Sequence, residues 1–355
     1  MAGALLQRRR VARLLALTPL LPAALGGLLI PLPTRAASAP HQARRLLMGT
    51  WVDITVADGA RPGVAEAVAG AYDEMSRLAA LMSRFDPDSQ LAVLNRAAGR
   101  EPVAVAPELM RVLQSAQQLS ARTGGAFDIT IGRLTPGPGG FNAGDIPDDV
   151  AVNTALRHVQ PQRLKLDLRR HTAYVDDALT CLDLGGVAKL PILQMGLNVL
   201  TSRGIGGVMV NGGGDVLASA RPDGRPWRIG VRDPAQPAQL LAVLPLHAGV
   251  VASSGDYERY VMHEGRRYHH IIDPATGRPT RGVRGVTLVA ERVADVNGLG
   301  TAAMVAGPVL GPALLQRCGV TQALLVGRDG RVWSSPALSR RLQPPPGQDQ
   351  IRGVA

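Results

Sequence analysis

Residues 251–307 read VASSGDYERYVMHEGRRYHHIIDPATGRPTRGVRGVTLVAERVADVNGLGTAAMVAG. The segment holds a turn at Ser253-Ser254-Gly255-Asp256 and a His269-His270 pair. An Asp273-Pro274-Ala275-Thr276-Gly277 turn and a small-residue helix start near Asn297 follow. Polar groups on tight turns, each beside an apolar strand, are how a scaffold presents chemistry at strand ends. Hairpins interleaved with helices argue an α+β fold with mixed or antiparallel sheets and packed helices.

Working outward, residues 44–58 alternate apolar and polar after Met48-Gly49-Thr50 and read as a first strand. Residues 65–81 have helical spacing, with Val68, Ala71, Met75 and Leu78 on one face. Pro107 opens a second long helix that Gly124-Gly125 stops. Residues 135–151 are rich in Gly and Pro and read as irregular loop. Strands are expected near 164–168, 172–176, 208–210, 227–234 and 240–246. Helices are expected from about Leu190 to Ser202 and from about Asn297, with a last hairpin over 323–333. The stretch from Leu342, with Pro344-Pro345-Pro346, reads as a disordered tail.

Residues 1–39 read as an export signal. Arg8-Arg9-Arg10 precede an apolar run to Leu32, and the small residues Ala36-Ala37-Ser38-Ala39 follow. Pro19, Pro22 and Pro31 break the run and argue against a permanent membrane helix. Arg9-Arg10-Val11-Ala12-Arg13-Leu14-Leu15 has the form of a twin-arginine signal; an ordinary secretory signal with paired arginines is the alternative. The reading implies a periplasmic protein with no stable membrane insertion after cleavage. Residues 40–341 then form the catalytic domain.

The formal net charge is +11, and five arginines (8, 9, 10, 13 and 35) lie in the leader, which leaves 11 − 5 = +6. Spread over a large domain, that charge is a weak signal for nucleic acid, and no nucleic-acid partner is expected. Lys165 and Lys189 are the only lysines, so Lys189 stands out inside its motif. Cys181 and Cys318 do not make a disulfide framework.

Several motifs occur in one order. They are Met48-Gly49-Thr50, a Met82-Ser83-Arg84-Phe85-Asp86-Pro87-Asp88-Ser89 turn, and Gly124-Gly125-Ala126-Phe127-Asp128-Ile129-Thr130-Ile131-Gly132. Then come Asp183-Leu184-Gly185-Gly186-Val187-Ala188-Lys189, Asn211-Gly212-Gly213-Gly214-Asp215, Ser254-Gly255-Asp256-Tyr257 and His270-Ile271-Ile272-Asp273-Pro274. Each is weak alone; together they resemble the FAD:protein FMN transferases, the ApbE-type flavin transferases, from Met48 to Gly307. The resemblance implies an ApbE-like, T-fold-related architecture. It implies an enzyme that splits FAD with Mg²⁺, attaches FMN to a Thr or Ser hydroxyl of a target flavoprotein, and releases AMP. Some exported relatives are associated with nitrous-oxide-reductase maturation.

Glycines let backbone N–H groups approach phosphate closely, and Gly185-Gly186 and Gly212-Gly213-Gly214 are placed for that; plain tight turns are the other reading. Lys189 can add a point charge at the helix start. By resemblance, Met48, Phe85, Ala126, Phe127, Asp128, Asp183, Lys189 and Ile271 bind the flavin nucleotide. An aromatic at Phe85 could stack on a ring; core packing is the alternative. His270 resembles the general base, a role suited to a pKa near working pH; a satisfied histidine at 269 or 270 is the competing reading. The resemblance places the metal on the Gly186 carbonyl and on an Asp-x-x-x-Thr motif. Here that motif reads Asn297-Gly298-Leu299-Gly300-Thr301, with an amide where the family has a carboxylate. Asn297 could instead cap the helix, and Asp295 could stand in as ligand. Lys189-Leu190-Pro191 is a second departure. Asp256 and Asp273 read first as turn-formers. An FAD or FMN carrier and an FAD pyrophosphatase are the alternative functions.

Overall fold

Eight strands join one antiparallel sheet in which chain order is also spatial order: His41–Leu47, Thr50–Val56, Val208–Gly212, Asp215–Ala218, Gly249–Gly255, Val283–Ala290, Gln322–Gly327 and Val332–Ser334. The computed structural model describes residues 39–137, 140, 145–263, 265–348 and 350–351. The export signal read over residues 1–39 therefore lies outside the described residues except for Ala39. The fold is α+β, as expected.

Strand periodicity divides the core. In Thr50–Val56, Val52, Ile54 and Val56 point to one face and are buried. They pack with the helices Val64–Leu81, Pro107–Arg122, Lys189–Ser202 and Leu299–Arg317. The opposite face carries Val216, Val251, Val289, Leu324 and Val326, and the hairpin Trp227–Arg232/Leu240–Leu246 covers it. Leu324 and Leu325 are neighbours in one strand and belong to different clusters, the alternation a sheet covered on both faces requires.

Alternate connections fall at opposite ends of this sheet. The connections 47→50, 212→215 and 255→283 share one end, because Thr50–Val56 pairs Val52 with Gly212, Gly212 pairs with Asp215, and Gly255 pairs with Gly285. That end carries the Met48-Gly49, Gly212-Gly213-Gly214 and Ser254-Gly255-Asp256 motifs.

Four local readings change. Residues 41–47 form a strand of their own, paired Leu47 to Thr50 around a two-residue turn in which Met48 (φ 53°) and Gly49 (φ 70°) are both left-handed. The Gly/Pro-rich segment runs at its end into a helix, Asp149–Leu156, whose N-cap Asp148 accepts the Ala151 N–H; residues 138–139 and 141–144 of that segment lie outside the description. Its Val152 and Ala155 are buried beside Leu134 and Ile272, contacts that a composition rule does not see. The helix expected from Asn297 begins at Leu299 and is broken at Gly307 (φ 81°, ψ 179°) before Pro308. The tail is tied down at its start: Gln343 exchanges two 2.8 Å backbone hydrogen bonds with Val243, and Leu342 and Ile351 pack on the outer cluster. Both cysteines are free.

The Gly213-Gly214 turn needs glycine. Gly213 has φ 63°, and a Cβ there would stand 2.6 Å from Thr50 Oγ1. Gly213→Ala is expected to cost about 2 kcal/mol or more in chemical denaturation. Gly63→Ala is the control, because Gly63 has a similar φ of 78° and open space around its Cβ position. It should cost only the left-handed conformation, about 1 kcal/mol.

Candidate active site

Residues 183–189 run between two charge pairs. Asp183 Oδ2 accepts from Arg84 Nη1 at 2.8 Å and from Thr135 Oγ1 at 2.7 Å, while Oδ1 accepts the Gly185 N–H at 2.7 Å. Arg84 is buried and also donates to the Gly132 carbonyl at 2.9 Å. Burial alone would raise the Asp183 carboxyl, but the Arg84 charge and the bonds from Thr135 and Gly185 outweigh it and hold it below the ordinary carboxylate range. At the other end, Lys189 Nζ meets Asp215 Oδ2 at 2.7 Å, with the Asp215 side chain only 7% exposed. Asp215 Oδ1 accepts the Ser253 N–H at 2.8 Å, which links this turn to the end of the Gly249–Gly255 strand.

Both glycine runs are closed turns. The Gly185 N–H is donated to Asp183 and the Gly214 N–H to Asn211 Oδ1 at 3.1 Å. Those two N–H groups therefore serve turn geometry. Gly186 serves close approach: a Cβ there would meet Phe127 Cε2 at 2.8 Å and lie 3.9 Å from Thr301 Oγ1.

The two histidines separate cleanly. His269 is buried at the end of its strand, with Nε2 3.1 Å from the Thr280 carbonyl and Nδ1 accepting the Ile271 N–H at 3.3 Å. Both its nitrogens are used, so it is a structural histidine. His270 faces outward, and its Nδ1 lies 3.1 Å from the Arg259 carbonyl. A carbonyl can only accept, so Nδ1 carries the proton and Nε2 presents a lone pair. Desolvation pushes the His270 imidazolium down to about 4, and the nearby charges of Arg259 and Lys189 act in the same direction. Solvent reaches the ring and offsets part of that shift. The ring is therefore neutral with Nε2 free to accept a proton, but its basicity lies below the near-working pKa expected of a general base.

The candidate metal donors meet across two elements. Asn297 Nδ2 donates to the Val187 carbonyl at 2.9 Å, beside Gly186, and Thr301 lies one turn into the following helix. A Cβ on Gly300 would stand 2.6 Å from Ser254 Oγ, so this helix start also abuts the Gly249–Gly255 strand. Asn297 is not the helix cap: Gly298 holds that position with no side-chain bond. Nor is Asp295 a substitute ligand, since its carboxylate is bound by Arg292 at 2.8 and 3.0 Å. Among the described residues no group of three His, Cys, Asp or Glu side chains converges on a metal position. A carbonyl, a hydroxyl and an amide oxygen suit a hard cation by donor type, but none brings charge.

The remaining nucleotide-binding candidates fall into two sets. Phe85 is 67% exposed, which rules out core packing and leaves its ring open to a planar ligand. Met48 is half-buried at its hairpin turn. Phe127 and Ile271 are buried core residues and Ala126 packs against that core, so their side chains support the site from behind. Asp128 is buried, and its Oδ1 accepts both the N–H and the hydroxyl of Thr130 at 2.8 Å. Asp273 closes its own turn as expected, accepting from Ala275 N at 2.9 Å and Thr276 Oγ1 at 3.1 Å. Asp256 does something else: buried, it pairs with Arg267 at 3.0 Å and braces the hairpin that carries the histidines. Arg84, Thr135 and Asp215 went unassigned in the sequence. Their positions inside or beside motifs were visible, but their partners were not.

Residues 48–325 match the model of the ApbE family. The chain is 33% identical over 291 residues to an FAD:protein FMN transferase of Rhodobacter capsulatus, covering 79% of this chain and 55% of that protein. It is 31% identical over 328 residues to an FAD:protein FMN transferase of Treponema pallidum, covering 87% and 90% respectively. The chain thus spans about half the length of the first relative and most of the second. Among solved structures, it is similar to an ApbE protein of Thermotoga maritima, with a TM-score of 0.76 at 29% identity over 85% of this chain and 99% of that one. The flavin transferase ApbE of Vibrio cholerae gives a TM-score of 0.73 at 27% identity over 85% and 100%.

The depressed His270 basicity has a measurable sign. The unfolded chain binds a proton near pH 6.5 that the folded chain takes up only nearer 4. His270 therefore opposes folding increasingly as pH falls through that window and has no such effect above it. Histidine NMR titration should show the His270 ring neutral at pH 5.5, and His270→Gln should flatten the loss of stability between pH 6.5 and 4.

Proposed function

We propose that this chain, which belongs to the ApbE family, is an exported FAD:protein FMN transferase that moves FMN from FAD to a Thr or Ser hydroxyl of an acceptor protein. The observation that carries the reading is the His270 tautomer, with Nδ1–H held by the Arg259 carbonyl and Nε2 open. The acceptor hydroxyl gives its proton to Nε2 as its oxygen attacks the FMN phosphorus. The bond from that phosphorus to the bridging oxygen breaks, and AMP leaves with the oxygen and its charge.

Other residues of the chain bind and orient. Phe85 offers an aromatic face, and the Met48 turn forms a wall of the flavin pocket. The Arg84–Asp183 pair holds the Asp183–Lys189 turn in place. Mg²⁺ would be held by the Gly186 carbonyl, the Thr301 hydroxyl and the Asn297 amide oxygen. When bound, the ion neutralises charge on the pyrophosphate oxygens. The basic, apolar and small-residue regions of residues 1–39 support export and an acceptor outside the cytoplasm. One observation favours a second reading, a weakly active FAD or FMN carrier: the donor set lacks the carboxylate of the family motif.

Incubating the mature chain with FAD, Mg²⁺ and an acceptor domain, followed by mass spectrometry, tests the transferase. An FMN adduct with equimolar AMP is expected, and His270→Ala should slow its formation by about 10²- to 10⁴-fold. Tight FAD binding without adduct or AMP, across several acceptors, would favour the carrier. Asn297→Asp restores a charged ligand and should lower the Mg²⁺ concentration for half-maximal rate by about tenfold or more.

A further inference from the structure

We infer that the Arg259 guanidinium is a catalytic group that binds the phosphoryl oxygens of the FMN half of FAD during transfer. The inference rests on the transferase reading and adds a residue to it.

Transfer at phosphorus concentrates negative charge on the non-bridging oxygens, and a fixed cation beside them lowers the barrier. Lys189 is the cation the sequence offers for that role. In the folded chain it is committed, its Nζ 2.7 Å from the buried Asp215 carboxylate. Arg84 and Arg267 are committed as well, to Asp183 and Asp256. Arg259 differs. Among the described residues no carboxylate pairs with it, and its neighbour Glu258 faces Arg232 at 3.8 Å. Among the described residues its one side-chain hydrogen bond is from Nη2 to the Met48 carbonyl at 3.3 Å, long and to a neutral acceptor. The residue is exposed.

Its position is specific. The backbone carbonyl of Arg259 orients His270, so the side chain starts from the residue that sets the base. The guanidinium reaches across to the Met48-Gly49 turn, where a Cβ on Gly49 would stand 3.6 Å from Nη2. One residue therefore spans from the base to the turn assigned to the flavin. The phosphorus to be attacked must lie between the flavin and the hydroxyl held at His270 Nε2. A planar fork of donors with no carboxylate partner among the described residues matches two non-bridging phosphate oxygens. As the acceptor Oγ–P bond forms and the bond from phosphorus to the AMP oxygen breaks, the charge on those oxygens stays within reach of the guanidinium. The proton goes to His270 and the electron pair leaves with AMP.

The test uses the mature chain with FAD, Mg²⁺ and the acceptor domain. Arg259→Gln should slow single-turnover adduct formation by about 10²- to 10³-fold. It should weaken binding of FMN while leaving riboflavin, which has no phosphate, unchanged. Added guanidinium should recover part of the lost rate. Arg259→Lys should retain more activity than Arg259→Gln, since it keeps the charge without the fork. A purely structural role through Met48 would weaken riboflavin and FMN alike and would not respond to guanidinium; that result overturns the inference. So does an Arg259→Gln rate within about twofold of the parent. If the parent chain makes no adduct with any acceptor, the transferase reading itself fails. The FMN-against-riboflavin comparison still decides, by direct binding, whether Arg259 contacts the phosphate.

Discussion

The turn from Asp183 to Lys189 is held at each end by an ion pair with a largely desolvated member, and the rest of the site hangs on that constraint. At one end the 2.8 Å contact with Arg84 fixes the Asp183 carboxylate; at the other a 2.7 Å contact fixes Lys189 on Asp215. Between them Gly186 is pressed against Phe127, and the Val187 carbonyl receives the Asn297 amide. A buried pair of this kind adds little net stability, but breaking one leaves an uncompensated charge, which is strongly unfavourable. The turn thus has one arrangement. Everything that touches it, from the Leu299–Arg317 helix start to the end of the Gly249–Gly255 strand, is placed by it.

This arrangement changes the role of the charged residues. A lysine at a helix start next to glycines suggests a phosphate ligand, yet a lysine already neutralised by a buried carboxylate has little field left to offer a substrate. Its work is to fix the turn and, through Asp215 and Ser253, the neighbouring strand. The same economy applies to the glycines, whose N–H groups at 185 and 214 close their own turns. Among the described residues the site offers an imidazole nitrogen, a guanidinium without a carboxylate partner, an exposed phenyl ring and three neutral oxygens.

The main sheet explains why these groups lie close together. Its strands follow chain order, and each excursion leaves from and returns to the sheet. Helices, hairpins and a three-stranded sheet of Val103–Ala104, Thr172–Val175 and Leu164–Asp167 are inserted between neighbouring strands, and turns at one end collect several motifs. An antiparallel meander permits this because adjacent strands need only a short connection, so long insertions are tolerated without disturbing the pairing.

Much of this was legible in the chain. Strand patterning located Thr50–Val56, Val208–Gly212, Gln322–Gly327 and Val332–Ser334 of the main sheet, and helical spacing placed Val68, Ala71, Met75 and Leu78 in the core, where all four are buried. The order of the motifs pointed to the family, and the Asn297 departure was visible as a letter. These are local properties, set by backbone periodicity and by residues close in sequence. Tertiary structure alone decided the pairings. Arg84 meets Asp183 across 99 residues, Asn297 meets Val187 across 110, and Arg259 meets Met48 across 211. The same holds for the choice between His269 and His270, adjacent residues of identical chemistry. One spends both nitrogens on its neighbours and the other keeps Nε2 open. A side chain's protonation and availability depend on what folding brings within hydrogen-bond distance, and that distance is not written in the sequence.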